Sequence, residues 1–81
     1  MKNIKPGKYQ HYKGNMYLVL CTAKHSETLE DMVVYISLYE NPESQLWVRP
    51  AKMFGETVEY KGNKVPRFRY LSSWKFIKNS K

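Results

Sequence analysis

The chain has 81 residues and a net charge of +7, and its 42% hydrophobic and 15% aromatic content suits one small folded domain, 1–81, and excludes a disordered chain. The chain has one cysteine, Cys21, so it cannot form an internal disulfide. This cysteine and the two histidines of the chain lack the paired ligand spacing of a zinc site, so we expect neither a metal nor a cofactor. Because the start "MKNIKPGKYQ" lacks the apolar core of a leader and no run has membrane-spanning length, we expect a cytoplasmic protein.

The first half of the chain contains three predicted strands, at residues 7–12, 15–24 and 32–39, where apolar and polar residues alternate. The tetrapeptide "YKGN" occurs at 12–15 and again at 60–63. Glycine next to asparagine supplies the positive φ angles that tight hairpin turns require. Both copies are therefore predicted to be hairpin tips.

The second half adds a fourth strand at 46–49, a helical turn at 50–55, and a final hairpin that pairs 57–60 with 66–71. Several short strands with a turn every eight to twelve residues are typical of small antiparallel β-domains. The predicted fold is all-β, either a small SH3-like antiparallel barrel or a strongly bent sheet of about five strands. Its ordered body spans about 7–71, with basic tails at 1–6 and 72–81.

Alternation also divides the strands into an aliphatic side and an aromatic-rich side. The aliphatic side gathers Met16, Leu18, Leu20, Val34, Ile36, Leu38, Leu46 and Val48. The aromatic-rich side gathers Tyr17, Val19, Cys21, Val33, Tyr35, Ser37, Tyr39, Trp47 and Arg49. We expect the aliphatic side to form the core. The aromatic-rich side is then either covered by the tails, through Trp74 and Phe76, or open as a binding surface.

The segments "GKYQHYKGN", "HSETLE", "VVYISLY", "LWVRP" and "VPRFRYL" follow one another along the chain. In this order the sequence resembles a small bacterial family of domains of unknown function, over about residues 7 to 71. It departs from the family pattern at the turn "ENPESQ" and after residue 71. The family has no established activity, so the resemblance implies a compact all-β domain and marks its characteristic polar residues. These are His11, Lys13, His25, Ser26, Glu27, Thr28, Glu30, Arg49 and Arg67.

The segment "AKHSETLEDM", 23–32, joins two apolar runs and is the main polar candidate. One interpretation is turn chemistry alone, in which Thr28 and Asp31 have the spacing of a capping box and the glutamates pair with surface cations. The alternative is a recognition loop beside the aromatic-rich side. The residue pattern leaves both interpretations open.

The leading functional hypothesis is a non-catalytic module that binds a peptide or protein through this aromatic and charged surface. Aromatic rings beside acids suit a cationic side chain, whereas Arg49 suits a carboxylate or phosphate held by two hydrogen bonds. The candidate ligand-binding residues are His11, His25, Glu27, Thr28, Glu30, Tyr35, Trp47, Arg49 and Arg67.

The distribution of charge makes nucleic acid a second class of partner. Six lysines lie at the two ends of the chain, and residues 9–74 between them hold eight basic against seven acidic residues, a net charge of +1. Such tails either solubilise the chain or follow the phosphates of a single strand whose bases stack on the aromatic side chains. No membrane partner is expected.

A third alternative is a small hydrolase that uses His25 and Glu27, which share one side of an extended chain as an acid–base pair requires. The adjacent His25 and Ser26 point to opposite sides, and Cys21 lies about 13 Å along the strand, so a nucleophile–histidine pair is disfavoured. This hypothesis needs a concave pocket that holds His25 beside an acid, and no catalytic residue is assigned without one.

Overall fold

The computed structural model describes residues 4–73, which form seven strands and one short helix. In chain order these elements are β1 (Gly7–His11), β2 (Met16–Lys24), β3 (Asp31–Ser37), β4 (Leu46–Pro50), α1 (Ala51–Phe54), β5 (Thr57–Tyr60), β6 (Asn63–Pro66) and β7 (Phe68–Ser72). No helix in this part of the chain has the length and apolar character needed to cross a membrane.

Five strands form one antiparallel sheet in the order β4-β3-β2-β1-β7, and β5 and β6 form a separate two-stranded sheet. The larger sheet has two edges, β4 and β7, so it is not closed into a barrel. The prediction of an antiparallel all-β domain with one short helical turn is confirmed. The side chain of Arg49 on β4 nevertheless lies 5.5 Å from the ring centroid of Phe68 on β7. Because edge strands of a flat five-stranded sheet lie about 19 Å apart, the sheet curves around this side.

Both "YKGN" tetrapeptides are hairpin tips, as predicted. The first connects β1 to β2, and the amide of His11 donates to the carbonyl of Asn15 at 2.8 Å. The second connects β5 to β6 through Lys61 and Gly62, whose φ angles of 52° and 81° are both positive. Positive φ at both central residues is the geometry of the type I′ turn, which matches the twist of paired strands.

The predicted pairing of 57–60 with 66–71 is wrong. The tight second tip returns the chain at once, so β5 pairs with β6, from Thr57 opposite Pro66 to Tyr60 opposite Asn63. The following strand, β7, pairs with β1 and becomes an edge of the larger sheet. A two-residue turn fixes the register of its hairpin, so the strand after the turn begins at residue 63. The predicted pairing would have needed a longer loop between the two strands.

The prediction that the aliphatic side forms the core is also wrong. The buried hydrophobic residues lie on the aromatic-rich side and on elements packed against it: Tyr9, Val19, Val33, Tyr35, Ala51, Phe54 and Phe68. On the opposite side Leu38, Leu46 and Val48 are 45%, 59% and 62% exposed. The aromatic-rich side is therefore covered. The expected covering residues Trp74 and Phe76 lie outside the described residues.

The short helix α1 and the edge strand β7 supply this cover. Pro50 precedes α1, and the helix buries Ala51 and Phe54 against the sheet. The Phe54 ring stacks on Phe68 with 4.1 Å between centroids and 2° between ring planes. Phe54 also meets Tyr9 edge to face at 5.2 Å, and large rings of this kind fill a small core with few residues.

A β-bulge in β2 changes the predicted alternation. The pairing runs from Val19 opposite Tyr35 directly to Cys21 opposite Val34, which leaves Leu20 as the extra residue. Cys21 is consequently exposed on the aliphatic side instead of joining the aromatic-rich side. A bulge shifts the face of every later residue in its strand, and the apolar pattern of β2 contains no signal for it.

The two sides of the sheet offer a matched test of this assignment. We expect Val33→Ala to lower the free energy of unfolding by about 2 kcal/mol, because Val33 is 0% exposed and its loss leaves a cavity. The same substitution at Val48, which is 62% exposed on the neighbouring strand, should change it by less than about 0.5 kcal/mol. Urea unfolding of both variants measures the difference, and equal losses would contradict the reversed core.

Candidate functional site

Arg49 is a half-buried cation on the covered, aromatic-rich side. It lies near the end of β4, opposite Val33, and its Nε donates a hydrogen bond of 3.3 Å to the hydroxyl of Tyr35. Its guanidinium lies over the ring of Phe68. Within residues 4–73 it forms no ion pair, and its terminal nitrogens donate no hydrogen bond. A guanidinium whose terminal nitrogens donate no hydrogen bond is suited to bind an external anion.

His11 contacts the same phenylalanine from β1, the strand next to β7. It ends β1, directly opposite Phe68, and the two ring centroids are 5.0 Å apart. The imidazole also packs on the ring of Tyr12 at 4.5 Å. Its Nδ1 accepts a hydrogen bond of 3.1 Å from the amide of Lys13, so the neutral ring carries its proton on Nε2 as a donor.

The surroundings of His11 are cationic. Burial lowers the pKa of its imidazole below the ordinary value, and the charges of Arg49, Arg67 and Lys13 lower it further. These three cations come from β4, from the segment between β6 and β7, and from the first hairpin tip, and each lies near enough to the imidazole to lower its pKa. An anion bound here would offset their mutual repulsion.

Arg67 combines a structural contact with a free donor. Its guanidinium pairs with Glu56 at 3.1 Å, and its carbonyl accepts a hydrogen bond of 2.9 Å from the amide of Tyr12. These contacts tie the segment between β6 and β7 to the first hairpin tip. The Nε of Arg67 is buried and has no hydrogen-bond partner among residues 4–73.

Two tyrosine hydroxyls complete the polar part of the site. Tyr17 and Tyr39 share a hydrogen bond of 2.9 Å, and the amide nitrogen of the Asn41 side chain donates to the Tyr39 hydroxyl at 3.1 Å. The Tyr17 ring also packs edge to face on Phe68 at 5.6 Å. Burial, followed by the bond to Tyr39, raises the pKa of Tyr17 above its ordinary value, so its phenol stays neutral.

Tyr35 and Trp47, predicted as open contact rings, have mainly structural positions. Tyr35 is 4% exposed, so it offers its hydroxyl to Arg49 and keeps its ring in the core. Trp47 is half-buried, and its Nε1 donates a 3.2 Å hydrogen bond to the hydroxyl of Ser37. We call the group around Phe68 the arginine site. Its members are Arg49, His11, Arg67, Tyr17, Tyr35 and Tyr39.

The loop between β2 and β3 forms a separate turn. The Nδ1 of His25 accepts from the amides of Glu27 and Thr28 at 3.2 and 3.3 Å, and the hydroxyl of Thr28 accepts from the amide of Glu30 at 3.2 Å. These side chains are exposed, and the charged pair nearby joins Lys24 to Asp31. Within residues 4–73, no hydrogen bond or ion pair links this loop to the arginine site.

The structure therefore divides the candidate residues into two groups. It brings together His11, Tyr35, Arg49 and Arg67, and it leaves His25, Glu27, Thr28 and Glu30 in the turn. Sequence reasoning placed Tyr17 and Tyr39 on the aromatic-rich side without listing them among the candidate ligand-binding residues, and it missed Phe68. Phe68 lies in the segment "VPRFRYL", but only the fold reveals that the rings of His11, Tyr17 and Tyr35 pack around it.

The geometry offers little for the hydrolase alternative. The two histidines lie at opposite ends of β2, which spans nine residues, and each accepts backbone hydrogen bonds at Nδ1. The backbone amide of Glu27 donates to His25, and within residues 4–73 the Glu27 carboxylate forms no hydrogen bond or ion pair with that ring. Nor do residues 4–73 contain three His, Cys, Asp or Glu side chains grouped to hold a metal ion.

Comparison with known proteins places this arrangement in a family. Residues 7–70 match the model described as "Protein of unknown function (DUF1653)". A crystal structure of a protein from Bordetella bronchiseptica belonging to DUF1653 is similar, with 38% sequence identity and a TM-score of 0.85. The similarity covers 90% of this chain and 94% of that one. Among curated proteins no match was found.

The lowered pKa of His11 predicts a specific dependence of stability on pH. The unfolded chain takes up a proton near pH 6.5, whereas the folded chain resists it, so this contribution to stability is present above about pH 6.5 and lost as the pH falls toward the folded pKa. Urea unfolding at several pH values between about 7.5 and 5 should show the loss.

A pair of histidine variants isolates this effect. His11→Gln should remove this part of the pH dependence, whereas His25→Gln should retain it because His11 is still present. If the two variants lose stability equally between these pH values, the lowered pKa assigned to His11 is wrong.

Proposed function

The chain belongs to the DUF1653 family of proteins of unknown function, and we propose that it is a non-catalytic module that binds an acidic peptide segment of a protein partner at the arginine site. The observation that carries the proposal is Arg49, a half-buried guanidinium without an ion pair in the described chain. A partly desolvated cation is costly unless an anion compensates it. Its two free terminal nitrogens have the fork geometry that a carboxylate accepts.

The neighbouring groups support an anionic ligand. The Nε2 of His11 and the buried Nε of Arg67 are donors without a partner in residues 4–73. The raised pKa of Tyr17 keeps its phenol neutral, so its hydroxyl, which is hydrogen-bonded to the hydroxyl of Tyr39, adds no negative charge. Arg67 is paired with Glu56, but Arg49 and His11 contact no carboxylate in residues 4–73, so this part of the site is complementary to an acidic side chain.

The position of Arg49 on an edge strand indicates how a peptide would bind. Within residues 4–73, β4 pairs only with β3, so its other side offers backbone hydrogen bonds to an added strand. Along β4, Trp47 and Arg49 face the aromatic-rich side, and Leu46 and Val48 lie exposed on the aliphatic side. An added strand that alternates acidic and apolar residues would match both sides.

This complementarity defines the experiment. We expect a fluorescent peptide of alternating glutamate and valine to bind the full chain, as measured by fluorescence anisotropy. Arg49→Gln should weaken binding by about ten-fold or more, because it removes a charge-assisted contact in a half-buried site. Arg69→Gln, which removes the same charge from an exposed residue of β7, should change the affinity by less than about two-fold.

Two comparisons make the result decisive. A peptide of alternating lysine and valine should not bind. Because Arg49→Gln also removes the hydrogen bond to Tyr35 and the contact with Phe68, its melting temperature is measured, and binding is compared well below it. Equal binding of the two peptides, or equal losses in the Arg49 and Arg69 variants, would remove the arginine site from the proposal.

A further inference from the structure

The two "YKGN" tips, distant in the sequence, meet in the folded chain. The rings of Tyr12 and Tyr60 pack edge to face with 5.2 Å between their centroids. Neither tip contains an acidic residue. The repeat therefore places two identical combinations of tyrosine, lysine, glycine and asparagine beside each other.

Backbone contacts hold both tips in place. The Tyr12 amide is bonded to the carbonyl of Arg67, and the Gly14 amide donates to the carbonyl of His11 at 2.7 Å. The side-chain amide of Gln10 donates to the carbonyl of Gly14 at 3.2 Å. The second tip is fixed by its type I′ turn. The two tyrosines are thus presented by preorganised turns.

A cleft of about 310 Å³ lies beside the tyrosine pair. Its walls include the rings of His11, Tyr12 and Tyr60, the apolar side chains of Val65 and Pro66, and the side chain of Arg69. The volume falls within the range of small-ligand pockets, and mainly apolar walls with a few polar groups are typical of them. We call it the tip cleft.

The rim of the tip cleft is cationic. The ammonium groups of Lys13 and Lys61 lie 5.8 and 5.3 Å from the ring centroids of Tyr12 and Tyr60, respectively. Neither lysine forms an ion pair within residues 4–73, and Arg69 is bonded only to the uncharged side chain of Gln10 there. Within residues 4–73, three cations without counter-ions therefore line the cleft or lie beside its tyrosine rings.

We propose that the tip cleft binds single-stranded nucleic acid. One base lies against the rings of Tyr12 and Tyr60, and the flanking phosphates are held by Lys13, Lys61 and Arg69. Stacking on aromatic rings combined with lysine and arginine contacts to phosphate is the common mode of binding single strands without base preference. The tyrosine rings favour a nucleic acid over an acidic peptide, because bases stack on aromatic rings and carboxylates do not.

The test uses the full chain and a fluorescein-labelled oligouridylate of about ten nucleotides, with binding followed by anisotropy at low salt. Tyr12→Ala and Tyr60→Ala should each weaken binding by about ten-fold, because one stacking contact is lost. Tyr60→Phe keeps the ring and should bind within about two-fold of the parent. Lys61→Ala should reduce the slope of log affinity against log salt by about 0.7, the value for one phosphate contact in a single strand.

Further variants separate this site from the rest of the molecule. Lys24→Gln, in the separate turn between β2 and β3, should leave oligouridylate binding within about two-fold of the parent. The oligouridylate and the glutamate–valine peptide are measured separately, so failure here is distinguishable from failure of the arginine site. Parent-like binding by both tyrosine-to-alanine variants at unchanged melting temperature would assign the binding to other cations and overturn the proposal. Equal competition by a polyglutamate peptide, or no binding of the oligouridylate at low salt, would overturn it as well.

Discussion

The stacking of Phe54 on Phe68 is the contact on which the rest of the structure depends. It joins the four-residue helix to the edge strand β7 and closes the aromatic-rich side of a curved sheet. Tyr9, Tyr17 and Tyr35 pack around these two rings, so the same group of side chains forms the core and the floor of the arginine site. Because a small domain can complete only one hydrophobic layer, covering this side leaves the aliphatic side exposed in residues 4–73.

The sequence was informative about local structure and much less about which surface would be covered. Both "YKGN" tips, four strands before the helix, and the helical turn follow from alternation and turn chemistry, which act over a few residues. Alternation separates the two sides of β3, but it does not reveal that Phe54 and Phe68, from elsewhere in the chain, pack against Tyr35 instead of Ile36. The extra residue Leu20 was equally invisible, because a bulge replaces one apolar position by another.

The candidate site shows the same limit. The family pattern marks three of its residues individually: Arg49, His11 and Arg67. Their convergence depends on the curvature of the sheet, which brings β4 toward β7. The segment 25–30 stood out for the same reason but has a local explanation, since His25 accepts two backbone amides and its own amide bonds to Glu30. A characteristic polar motif can therefore record the needs of a turn as well as those of a ligand.

His11 is the residue that connects the two proposed sites. Its ring packs on Phe68 in the arginine site and also lines the tip cleft, and its pKa is held down by burial and by the neighbouring cations. A carboxylate placed beside Arg49 would offset part of that positive charge and favour the protonated imidazole. The added charge would face the cleft, where it favours phosphate. If both proposed sites bind anions, protonation of this shared imidazole would couple them, and linkage would make the coupling reciprocal.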